Sequence, residues 1–167
     1  IHFNDKIYMI LQVFYAIFSS VLLSLAIPNE LYPMGCPFYA FLALIPYYIA
    51  IKNSKSYKEA FWLGFTQTIT THLLSSFWLA FFRDFAVFTL GASAIATGFI
   101  GAFMALLLYL PFSRNQAEKL SKFALCKKFY QNETFRVFYF AAIYTFYEYV
   151  KSNGFLGYPW GTVSSAM

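Results

Sequence analysis

The sequence is poor in charge: only 11% of its 167 residues are Asp, Glu, Lys or Arg, against about 25% in an average globular chain. So few charges cannot cover the surface of a water-soluble fold of this size. Cysteine is scarce too, with Cys36 and Cys126 alone, which excludes a disulfide framework. There is no internal repeat and no low-complexity tract. Segments of ~10 residues with strict apolar/polar alternation are missing as well, which argues against a transmembrane barrel.

What the chain has in excess is apolar sequence, 60% of all residues, and 39 aromatics. The apolar residues come in five runs, near 7–27, 38–51, 60–82, 85–112 and 135–150. The first has no acidic or basic residue over its whole length. About 20 such residues at ~1.5 Å each cross the ~30 Å hydrocarbon core of a bilayer. Backbone groups in lipid must bond internally, so the runs are expected to be helices. Pro28 stops the first run, and Pro46 interrupts the short second one. Ser56 and Glu59 form a capping-box pattern before the third, and Asn132 and Thr134 are candidate caps before the fifth. The fold class expected is all-α, a polytopic transmembrane helix bundle of about five spans forming one domain over 1–167. Tyr47, Tyr48, Trp62, Tyr109 and Tyr149 lie where runs meet polar sequence, the positions of an interfacial aromatic belt.

The basic residues orient the bundle. Lys6, then Lys52, Lys55 and Lys58, then the group from Arg114 to Arg136, make up ten of the twelve; Arg83 and Lys151 are left for the opposite side. Lys and Arg favour the cytoplasmic face, which puts the N-terminus inside. The net charge of +5 is thereby explained without nucleic acid, and fits contact with anionic lipid. Cys36 and Cys126 fall on opposite sides and cannot pair. Ser24 and Ala26 loosely suit a signal-peptide cleavage site, but the first run exceeds the 7–15 residues of a signal core, so an uncleaved span is expected. An initial Ile1 and an abrupt end at Met167 suggest a fragment of a longer protein.

Few residues are candidates for chemistry. Glu148, near the end of the fifth run, is ionisable at membrane depth, a functional signal in itself; Lys151 three residues on could simply pair with it. His72 lies mid-way in the third run among Gln67, Thr68, Thr70, Thr71, Ser75 and Ser76. A lone His is weak evidence for a metal, and a polar helix-packing face is the favoured interpretation. The fourth run carries Ala94, Gly98 and Ala102, with Thr97, Gly101 and Ala105 beside them, a small-residue face for close helix contact. Asn132-Glu133-Thr134 matches a glycosylation sequon on the inner side and is taken as a cap. Cys126 sits in a basic loop but has no His near it in sequence. The sequence gives no sign of a metal or soluble cofactor. The tail from Gly154 to Gly161 mixes glycines with Tyr158, Pro159 and Trp160. It suits an interfacial anchor or a lipid-handling loop.

These last residues carry a resemblance. Glu148-Tyr149-Val150-Lys151 followed by Gly157-Tyr158-Pro159-Trp160 resembles the apolipoprotein N-acyltransferase family, which has a Glu on a membrane helix, a basic residue three on, and a Gly-aromatic-Pro-Trp loop. The family usually has Arg and Phe where this chain has Lys151 and Tyr158. Leu25-Ala26-Ile27-Pro28 leading to Tyr32-Pro33 is similar to the turn after that family's first span. Phe61-Trp62-Leu63-Gly64-Phe65 leading to Ser76-Phe77-Trp78 is similar to its third span.

The resemblance implies a multi-pass enzyme of the bacterial inner membrane. It would pass an acyl chain from a phospholipid to the N-terminal diacylglyceryl-cysteine of a lipoprotein precursor, in lipoprotein maturation. Its Glu-Lys-Cys triad would lie in a C-terminal nitrilase-like domain that this chain lacks, so no residue here is expected to be catalytic. Trp160, Pro159, Tyr158, Glu148 and Lys151 would bind or support the lipid substrate. The alternatives are a small transporter or channel subunit, which requires His72 to face water, and a structural membrane scaffold.

Overall fold

A computed structural model describes residues 3–29, 32–81, 85, 87–113, 132–153 and 163. Among these there is no strand. Five α-helices follow one another: α1 (Phe3–Ala26), α2 (Pro37–Lys52), α3 (Tyr57–Ser75), α4 (Ser93–Tyr109) and α5 (Glu133–Asn153). A 3₁₀ segment, Phe77–Phe81, and a π-helical segment, Val87–Ala92, lie between α3 and α4, and a second 3₁₀ turn, Leu110–Phe112, closes α4.

The helix starts follow the side-chain chemistry. Ser56 Oγ accepts from the Glu59 N–H at 3.2 Å, and Glu59 Oε2 accepts from the Lys55 N–H at 2.7 Å. This is a capping box whose return bond lands one residue early. Asn132 Oδ1 accepts from the Thr134 N–H at 2.9 Å and opens α5. Helix α1 ends at Ala26, before Pro28, and the chain doubles back tightly: the Cys36 N–H donates to Leu25 O at 2.9 Å. Gly35 sits there at φ +57°, and a Cβ on it would stand 2.8 Å from Ala26 O. Only glycine fits that return.

The third run does not continue as one helix to residue 82. Helix α3 stops at Ser75. Thr71 and Ser75 each donate a hydroxyl hydrogen bond to the carbonyl four residues back, at 2.9 and 2.7 Å. Such bonds compete with the helix ladder at its last turn. The chain then tightens to 3₁₀. The fourth run opens as a π-helix before becoming α-helical.

Helix α3 packs most extensively on α4, and α1 lies against both α2 and α3. At the α3–α4 seam the backbones approach closely. A Cβ on Gly64 would lie 2.4 Å from Ala105 Cβ, and one on Gly101 only 1.8 Å from Thr68 Oγ1. Ala94, Thr97, Gly98, Gly101, Ala102 and Ala105 are all buried, so the small-residue face of the sequence is the packing face. Helix α5 meets α2 through rings instead: Phe140 stands edge-on to Tyr48 at 5.2 Å and to Tyr47 at 5.9 Å.

The exterior is apolar, and the interior mixes hydrophobic clusters with polar side chains. Phe14, Phe41, Phe103 and Phe138 point outward. Ser19, Ser20, Gln67 and Ser76 are buried alongside Tyr47, Leu23, Ile51 and Leu108. An apolar exterior of this extent marks a lipid-facing or partner-facing surface. Two helical stretches, Lys6–Ala26 and Phe88–Phe112, are long and apolar enough to cross a membrane. Helix α2 is short at 16 residues, α3 carries a polar face, and α5 carries Glu133, Arg136, Glu148 and Lys151.

The aromatic belt is only partly where the sequence suggests. Trp62 and Tyr149 are exposed, but Tyr47 is fully buried and Tyr109 is buried. Both rings fill gaps between helices that the small residues elsewhere close by themselves.

Candidate functional site

The buried side chains of α5 are Phe140, Tyr144, Tyr147 and Lys151. Their spacing of four, three and four traces one stripe. Its first half packs on Tyr47 and Tyr48 of α2. Its second half turns to the polar face of α3, where Gln67, Thr68, Thr71, His72 and Ser75 are buried.

Between these faces is a polar pocket of ≈ 10 Å³ lined by Gln67, Thr68, Thr71, His72, Thr97, Tyr144, Tyr147 and Lys151, the room one water needs. Tyr144 and Tyr147 of α5 line it opposite Gln67 and Thr68 of α3. Thr68 Oγ1 donates to Gln67 Oε1 at 3.3 Å, and Gln67 Nε2 to Thr71 Oγ1 at 3.4 Å. The Ser20 hydroxyl of α1 donates to Gln67 O at 2.7 Å. His72 Nε2 meets Ser93 Oγ at 2.9 Å, and Ser93 O accepts from Thr97 Oγ1 at 2.8 Å. His72 is 4% exposed. It is the packing histidine that the sequence favours, bonded across to the start of α4.

Lys151 is buried at the end of this network, facing His72 rather than the exterior. It interacts electrostatically with Glu148, one helical turn back on α5, and with His72 across the pocket. Glu148 is half-buried, and its Oε1 accepts from the Val163 N–H at 2.6 Å. Val163 in turn packs against buried residues of both hydrophobic clusters of the bundle. The structure thus brings Glu148, Lys151 and His72 to one end of the α3–α5 interface. Tyr158, Pro159 and Trp160 lie outside the described residues, as do Cys126 and Arg83. Among the described residues no group of three His, Cys, Asp or Glu could share a metal ion.

Sequence reasoning missed Tyr144, Tyr147 and Val163. The two tyrosines carry a legible signal, since with Phe140 and Lys151 they complete an α-helical stripe. Val163 carries none; its place depends on where the chain returns.

A helix bundle with a partly polar, hydrogen-bonded interior, a phenylalanine-rich exterior and, among the described residues, two helices long and apolar enough to cross a bilayer has the make-up of a helical membrane protein. The family follows from comparison: residues 19–167 match the apolipoprotein N-acyltransferase N-terminal domain, and the chain belongs to the apolipoprotein N-acyltransferase family.

Relatives named apolipoprotein N-acyltransferase 2 are 44% identical in Treponema denticola and 38% identical in Treponema pallidum, over 91% and 87% of this chain. A relative named apolipoprotein N-acyltransferase in Borreliella burgdorferi is 34% identical over 87% of the chain. The matches take up 26%, 23% and 25% of those proteins, so the chain spans about a quarter of the length of the curated relatives it matches. No solved structure matches.

Proposed function

We propose that this chain is the membrane part of an apolipoprotein N-acyltransferase, acting in lipoprotein maturation at the bacterial inner membrane. The acyl donor is a membrane phospholipid, and the acceptor is the N-terminal amine of a diacylglyceryl-cysteine on a lipoprotein precursor. All five helices cross the bilayer, with the N-terminus in the cytoplasm. The single observation that carries this reading is the family match over 19–167. The collection of Lys52, Lys55 and Arg136 at one end of the bundle supports the orientation, since Glu133 bonds both Lys52 and Arg136 there.

The chemistry belongs to a Glu-Lys-Cys triad in a C-terminal nitrilase-like domain. There Glu is the base, Cys the nucleophile that carries the acyl thioester, and Lys the stabiliser of the oxyanion. Residues 1–167 supply none of the three and transfer no acyl chain alone. Their part is to hold the lipid entrance, which Trp160, Pro159, Tyr158, Glu148 and Lys151 line or support. The Glu148–Val163 hydrogen bond favours this role, because it ties helix α5 to the chain that follows the aromatic motif.

The transporter alternative needs His72 in contact with water. Its 4% exposure counts against a water-filled pathway at that residue, since the pocket beside it has room for no more than about one water.

The test is acyl transfer to a lipoprotein, followed by mass spectrometry of its N-terminus, in cells dependent on the full-length protein. Trp160→Ala is expected to lower transfer at least about tenfold, the loss of roughly 1.4 kcal/mol of transition-state binding, with normal membrane insertion. Unchanged transfer would leave the scaffold reading in its place.

A further inference from the structure

At the basic end of the bundle the α2–α3 turn faces the end of α4 across a cleft of ≈ 790 Å³. The volume is that of a small-molecule site. Tyr8, Lys52, Lys55, Tyr57, Tyr109 and Ser113 are among the residues of its wall, which carries two lysines and, among the described residues, no carboxylate. One carboxylate outside the wall offsets part of its positive charge, and another caps a helix. Glu133 bonds Lys52 Nζ at 2.5 Å and accepts from the Tyr48 hydroxyl at 2.7 Å, and Glu59 caps α3. Lys55 Nζ lies over the Tyr8 ring, 4.4 Å from its centroid, while the Tyr8 hydroxyl donates to Asn53 O.

The Tyr57 hydroxyl is buried and has no hydrogen-bond partner among the described residues. Its ring is held edge-on against Tyr109 at 5.0 Å, so the hydroxyl cannot swing out to water without breaking that contact. A buried donor left unmade is costly, and an anionic oxygen beside two ammonium groups would satisfy it.

A second opening begins at the same residue. A groove of ≈ 290 Å³ shares Ser56 with the cleft and runs between α1 and α3 over Met9, Val13, Trp62 and Leu63, with Gln12, Lys58, Glu59 and Thr66 also in its wall. A polar, cationic cleft adjoining a mostly apolar groove matches a ligand with a charged head and a hydrocarbon tail.

We propose that the cleft is a binding site for an anionic phospholipid. The phosphate sits by Lys52, Lys55 and the Tyr57 hydroxyl, and one acyl chain lies along the α1–α3 groove. This rests on the bundle lying in a membrane, and not on the acyl-transfer reading. The site stands at the opposite end of the bundle from Glu148 and Lys151.

The test uses the whole chain purified in mild detergent and native mass spectrometry of retained lipid, with phosphatidylglycerol and phosphatidylcholine as probes. Phosphatidylglycerol is expected to be retained in preference. Lys52→Gln and Lys55→Gln should each weaken it about fivefold, and Tyr57→Phe by a similar factor. Lys52→Arg with Lys55→Arg should keep the preference, as should Lys6→Gln, which lies outside the cleft. Lys55→Gln alone leaves the Lys52–Glu133 pair intact, so its effect is readable even if the double variant folds poorly. Equal retention of the two lipids, or unchanged retention in Lys55→Gln and Tyr57→Phe, would overturn the site. Inorganic phosphate should displace no more lipid than chloride of equal ionic strength. Full displacement by phosphate would overturn the lipid as ligand and assign the cleft to a soluble phosphate.

Discussion

Two interfaces of this bundle are built on opposite terms. At the α3–α4 seam the residues are small and the backbones nearly touch: Gly64 against Ala105, Gly101 against Thr68. Between α2 and α5 the helices stand apart and large rings fill the space: Tyr47, Tyr48, Phe140 and Tyr144. Lipid tails are as apolar as the side chains they would replace, so burial alone gives helices little reason to associate. The seam gains from close packing of backbone and small groups. The ring interface gains from aromatic edge-to-face contact and from polar ends, as in the Tyr48–Glu133–Lys52 cluster.

The contrast can be broken from either side, with stability read by helical circular dichroism during SDS titration. Phe140→Ala removes the ring that meets both Tyr47 and Tyr48, and is expected to cost about 3 kcal/mol, because two large neighbours cannot collapse onto the void. Gly101→Ala should cost about 2 kcal/mol, since the added methyl meets Thr68 at Oγ1 and Cβ and the helices must part. Gly91→Ala is its control: a Cβ there meets nothing within 4 Å, so stability should hold or rise slightly.

Tyr47→Phe should stabilise by about 1 kcal/mol, because the ring stays and a buried hydroxyl without a partner among the described residues is removed. A loss instead would show that the hydroxyl is satisfied in the folded protein.

The smallest effect expected is one of pH. Hydrogen bonds from Lys52, then Tyr48, hold the Glu133 carboxyl below its ordinary value of 4.5. The stabilisation is therefore present above about pH 4.5 and is lost as pH falls through the lower folded value. Glu133→Gln should flatten that acid limb. Exposure of the pair to solvent keeps the effect small.

The seam was legible in the sequence and the ring interface was not. Ala94, Gly98 and Ala102 announce close packing because the signal lies within one helix, at one spacing. The capping residues Ser56, Glu59 and Asn132 are legible for the same reason. Tyr47 was assigned to a membrane interface because an aromatic at the end of a short run suits a belt. Its burial depends on which helix faces it, and Phe140 is 93 residues away. The Glu148 site is legible in part. Charge at membrane depth singled out Glu148 and Lys151, but the inward turn of Lys151 toward His72 joins two helices whose pairing no local pattern encodes. The third run shows the limit of hydropathy alone, since it continues past Ser75 where the helix does not.

The π-helical segment before α4 has a bearing on chain length. A π-turn bonds to the fifth residue along, one more than an α-turn, and so holds one residue that an α-helix would not need. Removing a single residue from Val87–Ala92 would let those turns close as α-helix and leave Gly98, Gly101 and Ala105 facing α3. The same deletion a few residues later would swing the downstream face by about 100° and take the glycines off the seam. The π segment is thus the place where a chain of this kind can gain or lose a residue without re-registering its two closest helices, and gaps in an alignment of its relatives belong there.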